Sequence, residues 1–261
     1  MKFGACISNN IERIAILKEL GYDYCEGGCG AIASLSDEEF DSFLARFKEI
    51  DLPMPVANGF IPGEIKLAGP ESDKDRIRQY LDKLFKRADL LGIKSVVFGS
   101  GGARNIPDSM TAEDGLKEIE WDIENIICPM AREHGITVVI EPLRIEECNI
   151  FNTVKESFDC ISRLKIDNLK VLADVYHMIC MDEPIESLTD YKGTLVHAHT
   201  SNPVGGDKRR VYPASGDGFS QKVFIDSLLA TGVETCSVEA GSEDFYNDAK
   251  LALVSLKEAL K

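Results

Sequence analysis

Short β-prone runs alternate with segments of helical periodicity along the whole of this 261-residue chain. Eight such runs lie at residues 3–8, 22–26, 54–58, 95–99, 137–141, 171–174, 195–199 and 236–239. Between the runs, apolar residues recur every three or four positions, as Ile77, Leu81 and Leu84 do, which is typical of amphipathic helices. This alternation favours a parallel sheet, and eight units in about 250 residues favour a (β/α)8 TIM barrel over an open, doubly wound sheet.

Glycine follows four of the helical segments, at Gly21, Gly92, Gly135 and Gly232. Because glycine readily adopts the left-handed conformation that closes a helix, these positions predict junctions between a helix and the next strand. Pro129 interrupts the helical segment at 113–133, which we therefore expect to be kinked or split. No change in composition and no Pro/Gly-rich linker divides the chain, so we expect a single TIM-barrel domain over residues 1–261.

The charge balance disfavours several classes of partner. The chain has 29 basic and 44 acidic residues, a formal net charge of −15, and a surface this acidic repels nucleic-acid phosphates and anionic lipid. No apolar run approaches the roughly 18 residues of a membrane-spanning helix, and the first residues do not resemble a secretory signal. We therefore expect a cytoplasmic protein with a small-molecule partner, whose eight scattered cysteines are buried thiols.

Charged or imidazole side chains close four consecutive predicted strands: Glu141, Asp174, His199 and Glu239. Catalytic groups of TIM barrels stand at the carboxyl ends of the strands, and neighbouring strands lie about 4.8 Å apart, so these side chains can reach one cation. Without a cation, three crowded carboxylates would repel each other. Three carboxylates and one imidazole suit a divalent metal, for which we expect Mn²⁺, with Mg²⁺, Co²⁺ and Zn²⁺ as alternatives.

Two histidines lie close together in the seventh predicted strand. His197 and His199 are two residues apart and therefore point to the same face of the sheet, in successive layers. His199 is nearer the carboxyl end of its strand, level with the acidic side chains, and we assign it to the metal. For His197, one layer deeper, the prediction is a hydrogen-bonded core histidine.

The four strand-end residues Glu141, Asp174, His199 and Glu239 are called the quartet below. Together with His177, in the motif Asp-x-x-His, they resemble the residue pattern of the xylose isomerase-like superfamily, and most closely that of its ketose 3-epimerase and hydroxypyruvate isomerase-like branch. The resemblance covers essentially the whole chain. It implies that the quartet binds a divalent metal and that Glu141 and Glu239 are also the catalytic acid/base pair. It further implies substrate contacts from His177, from Glu147 and from Arg210. Homo-oligomers are common in the resembling families, and the oligomeric state of this chain stays open.

This resemblance implies a metal-dependent isomerase or epimerase of a ketose or related keto-sugar. One glutamate would remove the proton next to the carbonyl, giving an enediolate, and another carboxyl would return a proton. A lyase or dehydratase of a keto-sugar, inosose or oxidised glycoside on the same metal site is the alternative. An endonuclease-IV-like enzyme is disfavoured, because that class usually needs three metal ions and many more histidines than the four present here.

Several loop residues have both a functional and a structural interpretation. Phe60 forms either an apolar wall of the substrate site or core packing. Ser100 belongs to a glycine-rich loop that could face substrate oxygens. Glu26, at the end of the second predicted strand, either binds a substrate hydroxyl or caps a turn, and Trp121 is expected in the core. Five basic residues are either ligands for a phosphate or carboxylate or solvated loop charges: Arg104, Arg144, Lys208, Arg209 and Arg210.

Overall fold

The computed structural model describes residues 1–204, 209–214 and 219–261. Eight parallel strands form its central sheet: β1 (Lys2–Ala5), β2 (Glu26–Gly28), β3 (Val56–Asn58), β4 (Ser95–Phe98), β5 (Thr137–Ile140), β6 (Leu169–Asp174), β7 (Leu195–Thr200) and β10 (Thr235–Val238). Their order is β1–β10–β7–β6–β5–β4–β3–β2. Two contacts link the β1 and β2 ends of this order and close the ring: Cys6 pairs with Glu26, and the Ile7 amide donates to the Glu26 carbonyl at 3.0 Å. The predicted TIM barrel is confirmed.

Helices connect the strands and pack around the barrel: α1 (Ile11–Leu20), α2 (Cys29–Ser34), α3 (Asp37–Ile50), α4 (Lys74–Leu91), α5 (Gly101–Arg104), α6 (Ala112–Asp122), α7 (Cys128–Glu133), α8 (Val154–Leu164), α9 (Val175–Cys180), α10 (Gln221–Thr231) and α11 (Phe245–Ala259). A 3₁₀ helix spans Ile185–Tyr191, and an antiparallel hairpin, β8 (Asn202–Val204) with β9 (Arg209–Val211), follows β7. No helix of the described ranges is long and apolar enough to cross a bilayer.

The predicted helix ends and the predicted break are both present. The four glycines Gly21, Gly92, Gly135 and Gly232 have φ angles of 83°, 79°, 63° and 86°, in the left-handed region. Between α6 and α7 the chain forms a π-helical turn at Ile123–Ile127, and Pro129 lies in the first turn of α7. Proline has no amide proton for the preceding turn, which accounts for the altered hydrogen-bond spacing there.

The apolar interior of the barrel lies one layer below the predicted site. Val56, Val97, Val139 and Leu172 come from four neighbouring strands and pack against each other as one buried cluster. Residues two apart on a strand share a face, so Val139 and Leu172 lie directly below Glu141 and Asp174. These apolar side chains close the barrel beneath the polar groups. A larger core between strands and helices includes Phe98 and surrounds the barrel.

Two sequence expectations need correction. The second strand begins at Glu26 rather than ending there, because the Tyr22 amide still bonds the Leu17 carbonyl of α1 at 3.0 Å and so belongs to the turn. Trp121 is 47% exposed and not in the core, since it lies on the outer surface beside the Lys74 ammonium group. All eight cysteines are free, as expected; six of them are buried, and Cys6 and Cys180 are partly exposed.

Candidate metal and catalytic site

Four neighbouring strands, β5, β6, β7 and β10, bring the predicted quartet together. Glu141 and Glu239 directly follow β5 and β10, whereas Asp174 ends β6 and His199 lies near the end of β7. One potential ligand atom from each of these four residues lies within 4.8 Å of the others. The two glutamates come from the outer strands of this group, with the aspartate and the histidine between them.

His199 is fully buried at the centre of the cluster. Its Nδ1 lies 2.8 Å from Glu141 Oε1 and 3.4 Å from Glu239 Oε2, while its Nε2 lies 2.8 Å from Glu26 Oε1. Burial disfavours the charged imidazole, but the carboxylates, Glu26 first, outweigh burial and raise the pKa of His199 well above its usual value. The Nδ1 edge therefore faces a place where positive charge is strongly stabilised.

Arg210, from β9, supplies positive charge to the other side of the cluster. Its Nη2 lies 2.5 Å from Asp174 Oδ2, its Nη1 donates to Glu239 Oε2, and its guanidinium carbon lies 4.4 Å from the centre of the Tyr176 ring. Burial raises the pKa of Asp174 to about 7, although Arg210 opposes this shift. For Glu239 burial acts in the same direction, but Arg210 and His199 outweigh it and hold its pKa well below the usual range.

This donor set fits a divalent metal. Three carboxylates and an imidazole nitrogen converge within bonding reach of one point, and burial raises the pKa of one of them, Asp174, even though Arg210 lies beside it. A divalent cation among hard oxygen ligands and one imidazole would supply further positive charge. A second group of potential ligands, Cys6, Glu26 and His199, shares the histidine with the quartet.

His177 and Arg210 direct hydrogen-bond donors at the same place. The Arg144 amide donates to His177 Nδ1 at 3.0 Å, and burial lowers the pKa of His177 to about 2, so the ring is neutral with its proton on Nε2. Arg210 Nη2 lies 2.7 Å from that Nε2. A guanidinium has no acceptor, so two donors face each other, an arrangement that an acceptor oxygen beside them would satisfy.

The remaining predicted substrate contacts already have partners within the protein or are buried. Glu147 is half-exposed and accepts a hydrogen bond from Arg144 Nε at 2.7 Å. The Ser100 hydroxyl oxygen accepts from the Ile61 amide at 2.8 Å. Phe60 is fully buried and packs against other aromatic rings of the core, as the core-packing interpretation expects.

The basic residues do not form one anion site in the described ranges. Arg104 is fully buried, and its guanidinium donates to the main-chain carbonyls of Phe98 and Glu141, the latter at 2.7 Å. Arg104 thus holds the end of β5 beside the end of β4. Arg144 pairs with Glu147, and Lys208 lies outside the described residues.

Sequence reasoning missed two contacts of the site. Glu26 is fully buried beneath the quartet and bonds both His197 and His199. Asn58, at the end of β3, donates from its side-chain amide to Glu239 Oε1 at 3.2 Å. Asn58 could have been found from its position at a strand end, which is the criterion that identified the quartet. Glu26 could have been inferred from two neighbouring buried histidines that need an acceptor.

Comparison with known proteins places this chain in a family. The family model described as the xylose isomerase-like TIM barrel matches residues 14–258. The chain belongs to this family. A curated protein, D-psicose 3-epimerase of Ruminiclostridium cellulolyticum, is 24% identical to this chain over 213 residues, which cover 79% of this chain and 68% of that protein.

Solved structures share the xylose isomerase-like fold over the whole chain. D-psicose 3-epimerase from Clostridium cellulolyticum H10, crystallised with D-tagatose, superposes with a TM-score of 0.83 at 17% identity and covers 100% of both chains. The IOLI protein with a bound zinc atom superposes with a TM-score of 0.76 at 17% identity, covering 100% of this chain and 98% of its own. At these identities, the likeness establishes the fold.

Proposed function

We propose that this protein is a divalent-metal-dependent sugar epimerase or isomerase that acts on a ketose, with Glu141 and Glu239 as the proton-transferring pair. One observation carries the proposal: two glutamates flank an aspartate and a histidine on four adjacent strands, with potential ligand atoms within 4.8 Å of one another. The curated relative, a D-psicose 3-epimerase, and the structural neighbour bound to D-tagatose support a ketose as substrate.

Glu141, Asp174, His199 and Glu239 would hold the metal. A divalent ion bound there supplies Lewis acidity to a carbonyl and an adjacent hydroxyl, which makes the neighbouring C–H group more acidic. The oxygen and imidazole ligands are compatible with Mn²⁺, Mg²⁺, Co²⁺ and Zn²⁺, and we favour Mn²⁺. The zinc-bound IOLI protein supports a divalent metal in this fold.

The two glutamates have different surroundings, which supports separate roles in proton transfer. A side chain at Gly99 would place its Cβ 2.4 Å from Glu141 Oε2, so glycine leaves room for this carboxylate. Glu239 is 25% exposed and takes a hydrogen bond from Asn58 on Oε1. With the substrate carbon between them, one carboxylate removes its proton and the other carboxyl donates a proton to the opposite face. Transfer to the same carbon gives an epimer.

His177 and Arg210 would bind the substrate oxygens. The neutral His177 ring offers its Nε2 proton, and Arg210 Nη2, 2.7 Å from that nitrogen, offers a further donor. Both groups donate and neither accepts, which suits a hydroxyl oxygen or an oxygen that gains negative charge during the reaction. For Glu147, on the half-exposed rim, we propose a contact with the distal part of the sugar.

The test is product analysis with matched variants. Mn²⁺-loaded protein would be incubated with D-psicose, D-fructose, D-tagatose and L-ribulose, and the sugars separated by chromatography. We expect an epimer of one of them, and Glu239→Gln should lower turnover by about 10²–10⁴-fold. Glu234→Gln, an exposed carboxylate at the other end of β10, is the control and should turn over like the wild type. Aldose formation would assign isomerisation, and loss of water would favour the lyase alternative over our proposal.

A further inference from the structure

Glu26 lies beneath the candidate metal site and contacts it through His199. We propose that Glu26 is a positioning residue, which keeps a proton on His199 Nε2 and thereby turns Nδ1 toward the metal. This inference rests on the proposed metal site but concerns the proton of the histidine. Neither the sequence motif nor the quartet of ligands requires such a residue.

The two oxygens of Glu26 are each occupied by a different imidazole. Oε1 lies 2.8 Å from His199 Nε2, and Oε2 lies 3.0 Å from His197 Nε2. The carboxyl group is fully buried. Each oxygen therefore lies within hydrogen-bond distance of an imidazole nitrogen, and a carboxylate that accepts at both oxygens satisfies this geometry. A buried carboxylate without hydrogen-bonding partners would be strongly destabilising, and here both oxygens have one.

Hydrogen-bond accounting determines the proton positions. A carboxylate only accepts, so both Nε2 atoms must donate to it. For His197 the remaining nitrogen, Nδ1, lies 2.8 Å from the Thr235 hydroxyl, which can donate to it. For His199 the remaining nitrogen is the one that faces Glu141 and Glu239. In the neutral ring that nitrogen carries a lone pair, as a metal ligand must.

The fold makes this arrangement rigid. Glu26 begins β2, and its main chain pairs with Cys6 where the barrel closes, so the backbone of Glu26 is held by the sheet. The His197 and His199 rings lie 5.3 Å apart at 85° to each other, which lets one carboxylate meet both. Metal-bound histidines generally donate their other N–H to such an acceptor, and the partner orients the ring and increases its basicity.

Glutamine is the decisive replacement because it preserves the shape of the side chain and changes one oxygen to a donor. In Glu26→Gln the amide oxygen can accept from one imidazole, but the NH₂ group would face the N–H of the other. One histidine must then move its proton from Nε2 to Nδ1. When His199 does so, it loses the lone pair that would bind the metal. When His197 does so instead, His199 still loses its anionic partner and with it the added basicity of Nδ1.

Mn²⁺ affinity, measured by electron paramagnetic resonance of the free ion, tests the consequence. We expect Glu26→Gln to weaken Mn²⁺ binding by about 10–100-fold, the usual effect of losing a partner of a metal-binding histidine. The matched control is Thr235→Val, which removes the partner of His197 Nδ1 and leaves both bonds to Glu26 in place. It should bind Mn²⁺ like the wild type. Equal affinities in all three proteins would overturn the proposal.

A second test uses the wild-type protein alone: nitrogen-15 NMR of the histidines reports which ring nitrogen carries the proton. With and without Mg²⁺, we expect His199 to keep a slowly exchanging proton on Nε2. A bare Nε2, or Mg²⁺ bound at Nε2, overturns the proposal whether or not Glu26→Gln folds. If the wild type binds neither Mn²⁺ nor Mg²⁺ but retains this proton, the proposed function is wrong, and the role of Glu26 in placing the proton stands.

Discussion

Replacing Arg210 by methionine should destabilise the metal-free protein strongly and increase its response to metal. The guanidinium bonds Asp174 and Glu239, both of which belong to the proposed metal site. Methionine keeps much of the apolar stem that packs near Tyr176 but removes the charge. Two neighbouring carboxylates then lose their shared positive partner.

The magnitude follows from the burial of the three groups. Removing one partner of a buried ion pair costs about 3–5 kcal/mol, and we take about 3 kcal/mol because the Arg210 side chain is 21% exposed. For a domain near this size, 1 kcal/mol corresponds to roughly 2–4 °C, so Tm should fall by roughly 6–12 °C. The loss should be smaller at pH 6 than at pH 8, because Asp174, with its pKa raised to about 7, is then protonated and needs no cation.

Thermal unfolding in EDTA and in Mn²⁺ measures both effects. In EDTA the variant should melt below the wild type, and Mn²⁺ should raise its Tm by more than it raises that of the wild type, since the ion replaces the lost charge. Arg144→Met is the control: Arg144 lies 5.4 Å from the same Tyr176 ring but pairs with the half-exposed Glu147. That pair should contribute under about 1 kcal/mol. If both variants melt alike in EDTA, the assigned role of Arg210 is wrong.

Three further changes have defined outcomes. His199→Ala should abolish Mn²⁺ binding in calorimetry, whereas His197→Ala should mainly lower the free energy of unfolding. If metal binding depends on His197 and not on His199, the assignment of His199 as the metal ligand is wrong. Because burial raises the pKa of Asp174 to about 7, Mn²⁺ must displace protons when it binds, so the affinity of the protein for Mn²⁺ should rise from pH 6 to pH 8. Calorimetry in two buffers of different ionisation enthalpy should detect the released protons. If no protons are released, the pKa shift of Asp174 is contradicted. In Gly4→Ala the new Cβ would lie 2.3 Å from the Tyr24 ring. Such overpacking should lower the free energy of unfolding in urea by about 1–3 kcal/mol. An unchanged urea midpoint would show that the Tyr24 ring moves freely.

The barrel and the quartet were predictable because their signals are local. Alternating strand and helix patterns need no knowledge of distant contacts, and the left-handed glycines mark helix ends directly. Once the fold is a barrel, the carboxyl ends of parallel strands must meet at one rim. That geometry alone brings Glu141, Asp174 and Glu239 together.

Contacts that depend on tertiary packing could not be predicted from the sequence. Glu26 was expected at the end of its strand, whereas the sheet pairs it at the beginning, one layer deeper, where it meets two histidines. An aromatic residue in a loop can face a cleft or the core, and only the positions of α4 and β4 decide that Phe60 is buried. The guanidinium of Arg210 reaches the quartet through the β8–β9 hairpin, whose pairing no local pattern indicates.

The most direct test of the account is proton exchange at the sugar carbon. Mn²⁺-loaded protein would be incubated in D₂O with the ketose that it converts, and proton NMR would follow the C–H group next to the carbonyl. If Glu141 and Glu239 transfer protons as proposed, solvent deuterium should appear at that carbon in the product, and Glu141→Gln should slow its appearance by about 10²–10⁴-fold. Conversion without deuterium uptake, or at an unchanged rate in Glu141→Gln, would contradict glutamate-mediated proton transfer.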